Sequence, residues 1–468
     1  MVSDVLLCKY KMTILFMVVL YLDSQAKGMI ITMRYFIGSV PFFDAEMNVF
    51  AYRIIIQDGD KLLGSAEDYR MLGSELLAPA LEVVGKIGTE PFAGDSKLFV
   101  EVGKYQLLMG MPLNMHNVPS GNIVCVIDKD TLTDNAAYAK LGILKRRGYS
   151  LAVEGFPKAI SMDTAVKIFD FVLLSRKDPH FNVELKEIRP YIFKTRLVIT
   201  DVPDMNDFNK YSGARGVLLS GNFYSQPITK GSVDLSPLKI NALSLLGQIN
   251  LDSFDLGEAA SIIERDPALS ISLLRFINAM NPDRSRKIDS IRTAVAILGQ
   301  NEVKKWASIA ISVNMGEDRP GEITRLSLIR AKFAENLAPA FEMAIKSGAL
   351  FISGLFSMLD VILQMPLERA IDEVAASGEI RAALVERKGP LSEVLNLIFA
   401  YEHADWHDVS LIMVRNKIDV EDLTKAFLDA LLWYRQLLDA IEDDAESDEA
   451  KSPDEGSAAA SAEADGQV

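Results

Sequence analysis

Between residues 33 and 227 short apolar runs alternate with amphipathic stretches, and eight of the runs have the length and composition of strands. They cover 34–39, 52–57, 98–102, 123–127, 149–154, 169–174, 196–200 and 216–219. Most are continuous in Val, Ile, Leu and Phe rather than alternating with polar residues, as in strands buried on both faces. Helix-compatible segments such as 66–84 and 133–147 lie between them. The pattern predicts a compact (β/α) barrel, a fold whose chemistry sits at the C-terminal ends of its strands.

After a turn-rich linker at 226–237 the strand signal stops, and 238–441 reads as helix throughout. Leu256, Ala259 and Ile263 share one helical face, and Asp266 followed by Pro267 reads as an N-cap with proline at the first helical position. Two short helices are expected at 290–298 and 302–311, broken at Gly299. Residues 349–364 are apolar almost all round, which predicts one central buried helix, too short and too close to Pro366 to span a membrane. The second half is therefore an all-α bundle.

A chain of 468 residues is long enough for two or three domains. Its net charge of −15 is unevenly placed, because residues 442–468 hold ten acids against Lys451 alone. That tail, rich in Ala, Ser, Asp and Glu, is expected to be disordered. The remaining body is close to neutral and offers no clustered Lys and Arg for nucleic acid or an anionic membrane. Residues 12–22 form an apolar run too short for a bilayer span. Translation is expected to begin at Met29 or Met33, leaving 1–28 as a leader of uncertain status, and no membrane contact is expected unless 12–22 act as an anchor. Two cysteines, Cys8 and Cys125, and four histidines leave no disulfide framework and few imidazole ligands.

The helical half resembles the HDOD domain, a bacterial signalling module related to HD-type phosphohydrolases. The matching stretches are Ile263-Glu264-Arg265-Asp266-Pro267-Ala268-Leu269, Leu273-Leu274-Arg275-Phe276-Ile277-Asn278, Ser290-Ile291-Arg292-Thr293-Ala294 with Leu298-Gly299, Gly354-Leu355-Phe356-Ser357-Met358-Leu359-Asp360 and Ala400-Tyr401-Glu402. The first half resembles an EAL domain, the phosphodiesterase fold that linearises cyclic di-GMP. The likeness is carried by the opening hairpin at 34–52, by Gly148-Tyr149-Ser150-Leu151-Ala152-Val153 and by Ser220-Gly221-Asn222-Phe223-Tyr224. The two likenesses divide the chain into a barrel at 29–230, a helical domain at 236–441 and the tail from 442.

EAL enzymes hydrolyse with two metal ions held by carboxylates and an Asn. The resemblance places the signature Glu on Arg53 and the motif's Arg on Gln57. The metal-binding Asn falls on Glu101 and the next metal-binding Glu on Cys125, with Asp128 at that motif's end. The Asp-Asp pair becomes Glu154-Gly155, the catalytic Lys becomes Leu173 and the Asp two residues on becomes Ser175. A later Glu becomes Thr200, and the last motif's Gln becomes Ser220. A cation at Arg53 would repel a divalent ion by about 4 kcal/mol per unit charge at 4 Å and an effective dielectric near 20. Arg53, Glu101 and Glu154 are instead expected to gather at the barrel mouth as a structural ion cluster.

The HD dyad of the related phosphohydrolases falls on Ser357 and Met358. His403 and His407, spaced i,i+4, are a weak metal candidate, with a polar turn the preferred reading. These substitutions imply a cytoplasmic pseudo-enzyme: a non-catalytic regulator without cofactor, tied to cyclic di-GMP signalling and meeting protein partners through the helical domain. The alternatives are a metal-independent binder of cyclic di-GMP or another small ligand, then a residual phosphodiesterase.

Overall fold

The computed structural model describes residues 35–58, 79–109, 120–228, 246–247, 255–265, 269–270, 273–274, 277, 288–315 and 321–449. The leader at 1–28, the Asp266-Pro267 cap and the tail beyond Glu449 lie outside the described residues. The barrel and the helices of 301–435 belong to one compact unit, and residues 255–300 with those after 435 belong to a second.

Eight strands close into a barrel in sequence order. They are β1 (Tyr35–Phe43), β2 (Val49–Asp58), β3 (Lys97–Glu101), β4 (Ile123–Asp128), β5 (Ser150–Glu154), β6 (Phe171–Ser175), β7 (Arg196–Val202) and β8 (Val217–Gly221). From β2 to β8 each strand runs parallel to the next, whereas β1 is antiparallel to both β2 and β8. All eight expected strands are present. β1 runs past the expected end at 39 through Pro41, which pairs with Tyr52. Pro lacks an N–H, yet β1 meets β8 only at Phe43↔Leu219, so no strand bond is forfeited on that edge.

The interior is packed by Phe42, Ala51, Phe99, Val124, Val126, Ala152, Phe171, Leu173, Val198 and Leu218. Phe99 meets Phe42 at 4.8 Å and Phe171 at 4.9 Å between ring centroids, so aromatic edges fill the space beside the two alanines. Side chains alternate across a strand, so the residue two positions on from an interior residue faces the same way. Arg53, Glu101, Asp128, Glu154, Ser175, Thr200 and Ser220 therefore follow the core residues at the C-terminal rim.

In the helical half, Leu256–Arg265 buries Ala259 and Ile263 on one face as expected. The Ile291–Met315 helix is interrupted at Gly299, whose φ of 76° and ψ of 172° are not helical. The single helix expected over 349–364 is instead two, Ser347–Phe356 and Leu359–Leu363. Ser357 breaks it: its hydroxyl donates to the Gly354 carbonyl at 2.6 Å and accepts from Arg330 at 3.1 Å, competing with the helical ladder. The last helix, Val420–Glu449, continues past 441 into the acidic segment, since Ala and Glu favour helix and no breaker intervenes before Pro453.

β1 is the strand that seats the barrel on the helices. Over its first half its outer edge has no strand partner, and the buried Tyr401 hydroxyl supplies one: it accepts from Ile37 N–H at 2.9 Å and donates to Ile37 C=O at 2.7 Å. Phe36 stacks on Trp406 at 5.2 Å. Beside them Tyr52 donates to Glu322 at 2.6 Å, Arg325 bonds the same carboxylate at 2.8 Å, and its guanidinium lies 4.5 Å over the Tyr52 ring. The buried acid is thus paired and hydrogen-bonded, as burial of charge requires.

Candidate functional site

The C-terminal rim gathers residues from β2, β3, β4, β5 and β7. Arg53 reaches across to Glu154 in a two-pronged contact, Nη1 to Oε1 at 2.7 Å and Nη2 to Oε2 at 2.8 Å. The Arg53 side chain is 17% exposed and that of Glu154 41%, so solvent screens the pair and its contribution is about 1 kcal/mol. Burial works against the Arg53 charge. Glu154 outweighs it, with Glu101 and Asp201 adding, and the guanidinium is held more firmly protonated than usual.

Glu101 lies within the electrostatic field of Arg53. Desolvation inside the rim raises its carboxyl above the usual range, Arg53 opposes that rise, and the charges of Glu154 and Asp128 add to it. Asp128 is raised in the same way, by desolvation and then by its acidic neighbours Asp130 and Glu154, while the Asp130 N–H opposes. Asp201 goes the other way. Desolvation would raise it, but the Ser175 hydroxyl at 2.6 Å and the Lys177 ammonium at 2.9 Å prevail and hold it below the usual range.

The other expected positions divide between floor and periphery. Leu173 is buried in the barrel interior and its carbonyl accepts from Gly155 N–H at 2.9 Å. Gly155 has φ of +82°, and a Cβ there would stand 2.7 Å from Lys129. Thr200 reaches Asp201 at 3.5 Å, and Ser220 is buried. Gln57 pairs with Phe36 beyond the last β2–β3 pair, on the hairpin rather than on the rim.

Cys125 does not reach the mouth. Val124 and Val126 face the barrel interior, so the residue between them faces outward. It is fully buried there, and burial pushes its thiol up to about 12.

Asp201 was not among the expected positions, and Asp128 entered only as a motif end. Strand alternation identifies Asp128, two residues after Val126. Asp201 has no such signal: the β7–β8 register shifts between Ile199 and Val202, and Asp201 adopts a left-handed φ of 58°. Among the described residues, no three His, Cys, Asp or Glu side chains stand in an arrangement that could hold a metal ion. His403 and His407 do not share a helix. His403 ends Pro390–Glu402 with its Nδ1 2.6 Å from the Phe399 carbonyl, and His407 lies in Trp406–Asn416, capped by Asp405. Ser357 is tied to Arg330, and Met358 is buried core. No helix among the described residues is long and apolar enough to cross a membrane.

Residues 235–405 match the HDOD domain family. The chain is 24% identical over 411 residues to the cyclic di-GMP phosphodiesterase CdgJ of Vibrio cholerae, covering 86% of this chain and 93% of that protein. It is 26% identical over 422 residues to the uncharacterized protein YuxH of Bacillus subtilis, covering 87% of this chain and all of the relative. Among solved structures, the EAL enzyme Bd1971 in its cAMP- and cyclic-di-GMP-bound form aligns with a TM-score of 0.32 and 14% identity, over 44% of this chain and 65% of that one. The barrel is established by its own closed strand pairing.

The expectation that the chain is not an enzyme is corrected by the Vibrio relative, which is named a phosphodiesterase. That expectation compared single positions with a motif, and such a comparison depends on strand register, in which a slip of one residue exchanges the two faces. It also overlooked carboxylates that the fold brings to the rim from unmatched positions, as at Asp201. Residues 235–405 of the helical half thus match the HDOD domain family, and the chain is similar over most of its length to a protein named a cyclic di-GMP phosphodiesterase.

Proposed function

We propose that this protein is a cytoplasmic regulator in cyclic di-GMP signalling that acts through protein contacts, with Arg53, Glu101 and Glu154 as a structural ion cluster in the barrel mouth. The observation that carries this reading is the two-pronged Arg53–Glu154 contact, in which the guanidinium spans the mouth and offsets the carboxylates around it. The hydrogen bonds from Tyr401 to β1 and from Tyr52 to Glu322 join the barrel wall to the helices, so a change at either is transmitted through a buried, packed contact. This reading assigns the partner surface to the Trp406–Asn416 helix, where Leu411 and Val414 are 52% and 78% exposed.

The test is calorimetric titration of the full chain with cyclic di-GMP, with and without Mg²⁺ or Ca²⁺, followed by product analysis, on the native protein and Arg53→Ala. A structural cluster predicts that Arg53→Ala lowers stability and changes neither nucleotide heat nor product. Binding or cleavage that disappears with Arg53 would make the mouth a chemical site and overturn its structural role. Leu411→Asp/Val414→Asp is expected to abolish partner capture while leaving the melting temperature in place.

A further inference from the structure

The rim is one end of the barrel. At the other end, where β3, β5, β6 and β7 begin, lies a separate cleft of about 660 Å³. Its floor is aromatic: Phe50 packs against the barrel core and carries the Arg196 guanidinium 4.5 Å over its ring. Its lip holds Phe193, which is 82% exposed, an unusual position for a phenylalanine. The walls are basic, with Lys194, Arg196 and Arg215 all exposed to solvent.

The charge balance of the cleft is one-sided. Asp170, its acid, is already occupied: Lys145 bonds both carboxylate oxygens at 2.7 and 2.8 Å and the Leu151 N–H bonds one of them at 2.9 Å. Lys194 and Arg215 have no acidic partner among the described residues, in a chain whose net charge is −15. Thr195, between Lys194 and Arg196, is buried at 3% exposure, and its hydroxyl has no hydrogen-bond partner. Unpaired cations beside an exposed ring suit a ligand with a phosphate at one end and a flat ring at the other. The barrel's rim, crowded with carboxylates, suits no such anion.

We propose that this cleft binds a nucleoside monophosphate, its phosphate on Lys194 and Arg215 and its base against Phe193. The site is independent of the rim and of the function proposed above. Titration calorimetry of the full chain with GMP, guanosine and inorganic phosphate tests it. GMP is expected to bind, with guanosine and phosphate each weaker by about tenfold or more, because each supplies half of the contacts. Lys194→Ala/Arg215→Ala, both at exposed positions, is expected to weaken GMP by about tenfold or more with an unchanged melting temperature. Phe193→Ala is expected to weaken GMP and leave phosphate alone. Absence of GMP binding at millimolar concentration, or GMP binding unaltered in the double variant, would overturn the proposal. Phosphate binding as tight as that of GMP would remove the base from it.

Discussion

Replacing Tyr401 by phenylalanine deletes one oxygen atom from the buried edge of β1. The ring contacts with Phe36, Phe333, Trp406 and Phe427, at centroid distances of 5.1 to 6.1 Å, stay in place. What is lost is the partner of both polar groups of Ile37, whose residue is fully buried. A buried backbone group left without a partner costs about 1–3 kcal/mol, so two that share one partner should cost about 2–4 kcal/mol together. A tyrosine hydroxyl on an open surface would cost under about 0.5 kcal/mol. The barrel and the helices of 301–435 lie in one compact unit, so the loss should appear as a lower urea midpoint for both, followed by far-UV dichroism and by tryptophan fluorescence. Hydrogen exchange at the Ile37 amide should accelerate by the same free energy. A change below about 0.5 kcal/mol, with Ile37 still protected, would refute the role given to this hydroxyl and show that the edge is satisfied otherwise.

Asp201 should make stability fall in acid. Its carboxyl is held below its ordinary value of 3.8, so its contribution is complete above that value and disappears as pH falls through the lower folded one. Asp201→Asn, which still tolerates the left-handed backbone, should flatten the acid limb of a stability–pH curve; an unchanged limb would rule the residue out. Gly354→Ala should destabilise by about 3 kcal/mol or more, since its Cβ would stand 2.5 Å from the Arg330 carbonyl oxygen where two helices cross. A thermal melt equal to that of the native protein would disprove the close approach. Cys125, buried and pushed up to about 12, should resist a thiol reagent at pH 8 until the protein unfolds, as judged in a Cys8→Ser background; labelling at the rate of a free thiol would place it at the surface.

How much of this was legible without the fold depends on the range of the interaction that decides it. The strands were readable because a barrel strand is buried on both faces, and a run of Val, Ile, Leu and Phe advertises that locally. Gly299 marked its own break for the same reason, needing only its own backbone freedom. The rim positions of Arg53, Glu101 and Glu154 came from resemblance, and strand alternation agrees with each of them.

Contacts between distant residues decided the rest. The face of Cys125 depends on pairing register, in which a slip of one residue exchanges inside for outside. Asp201 enters the rim through an irregularity in the pairing of β7 with β8, which neither strand displays alone. The break at Ser357 requires the Arg330 guanidinium from another helix, so an apolar run that reads as one helix becomes two. The edge of β1 is completed by a hydroxyl 364 residues along the chain. Local burial patterns determined which segments became strands and helices, and tertiary packing alone determined which side chains meet, because those meetings depend on residues that no local window contains.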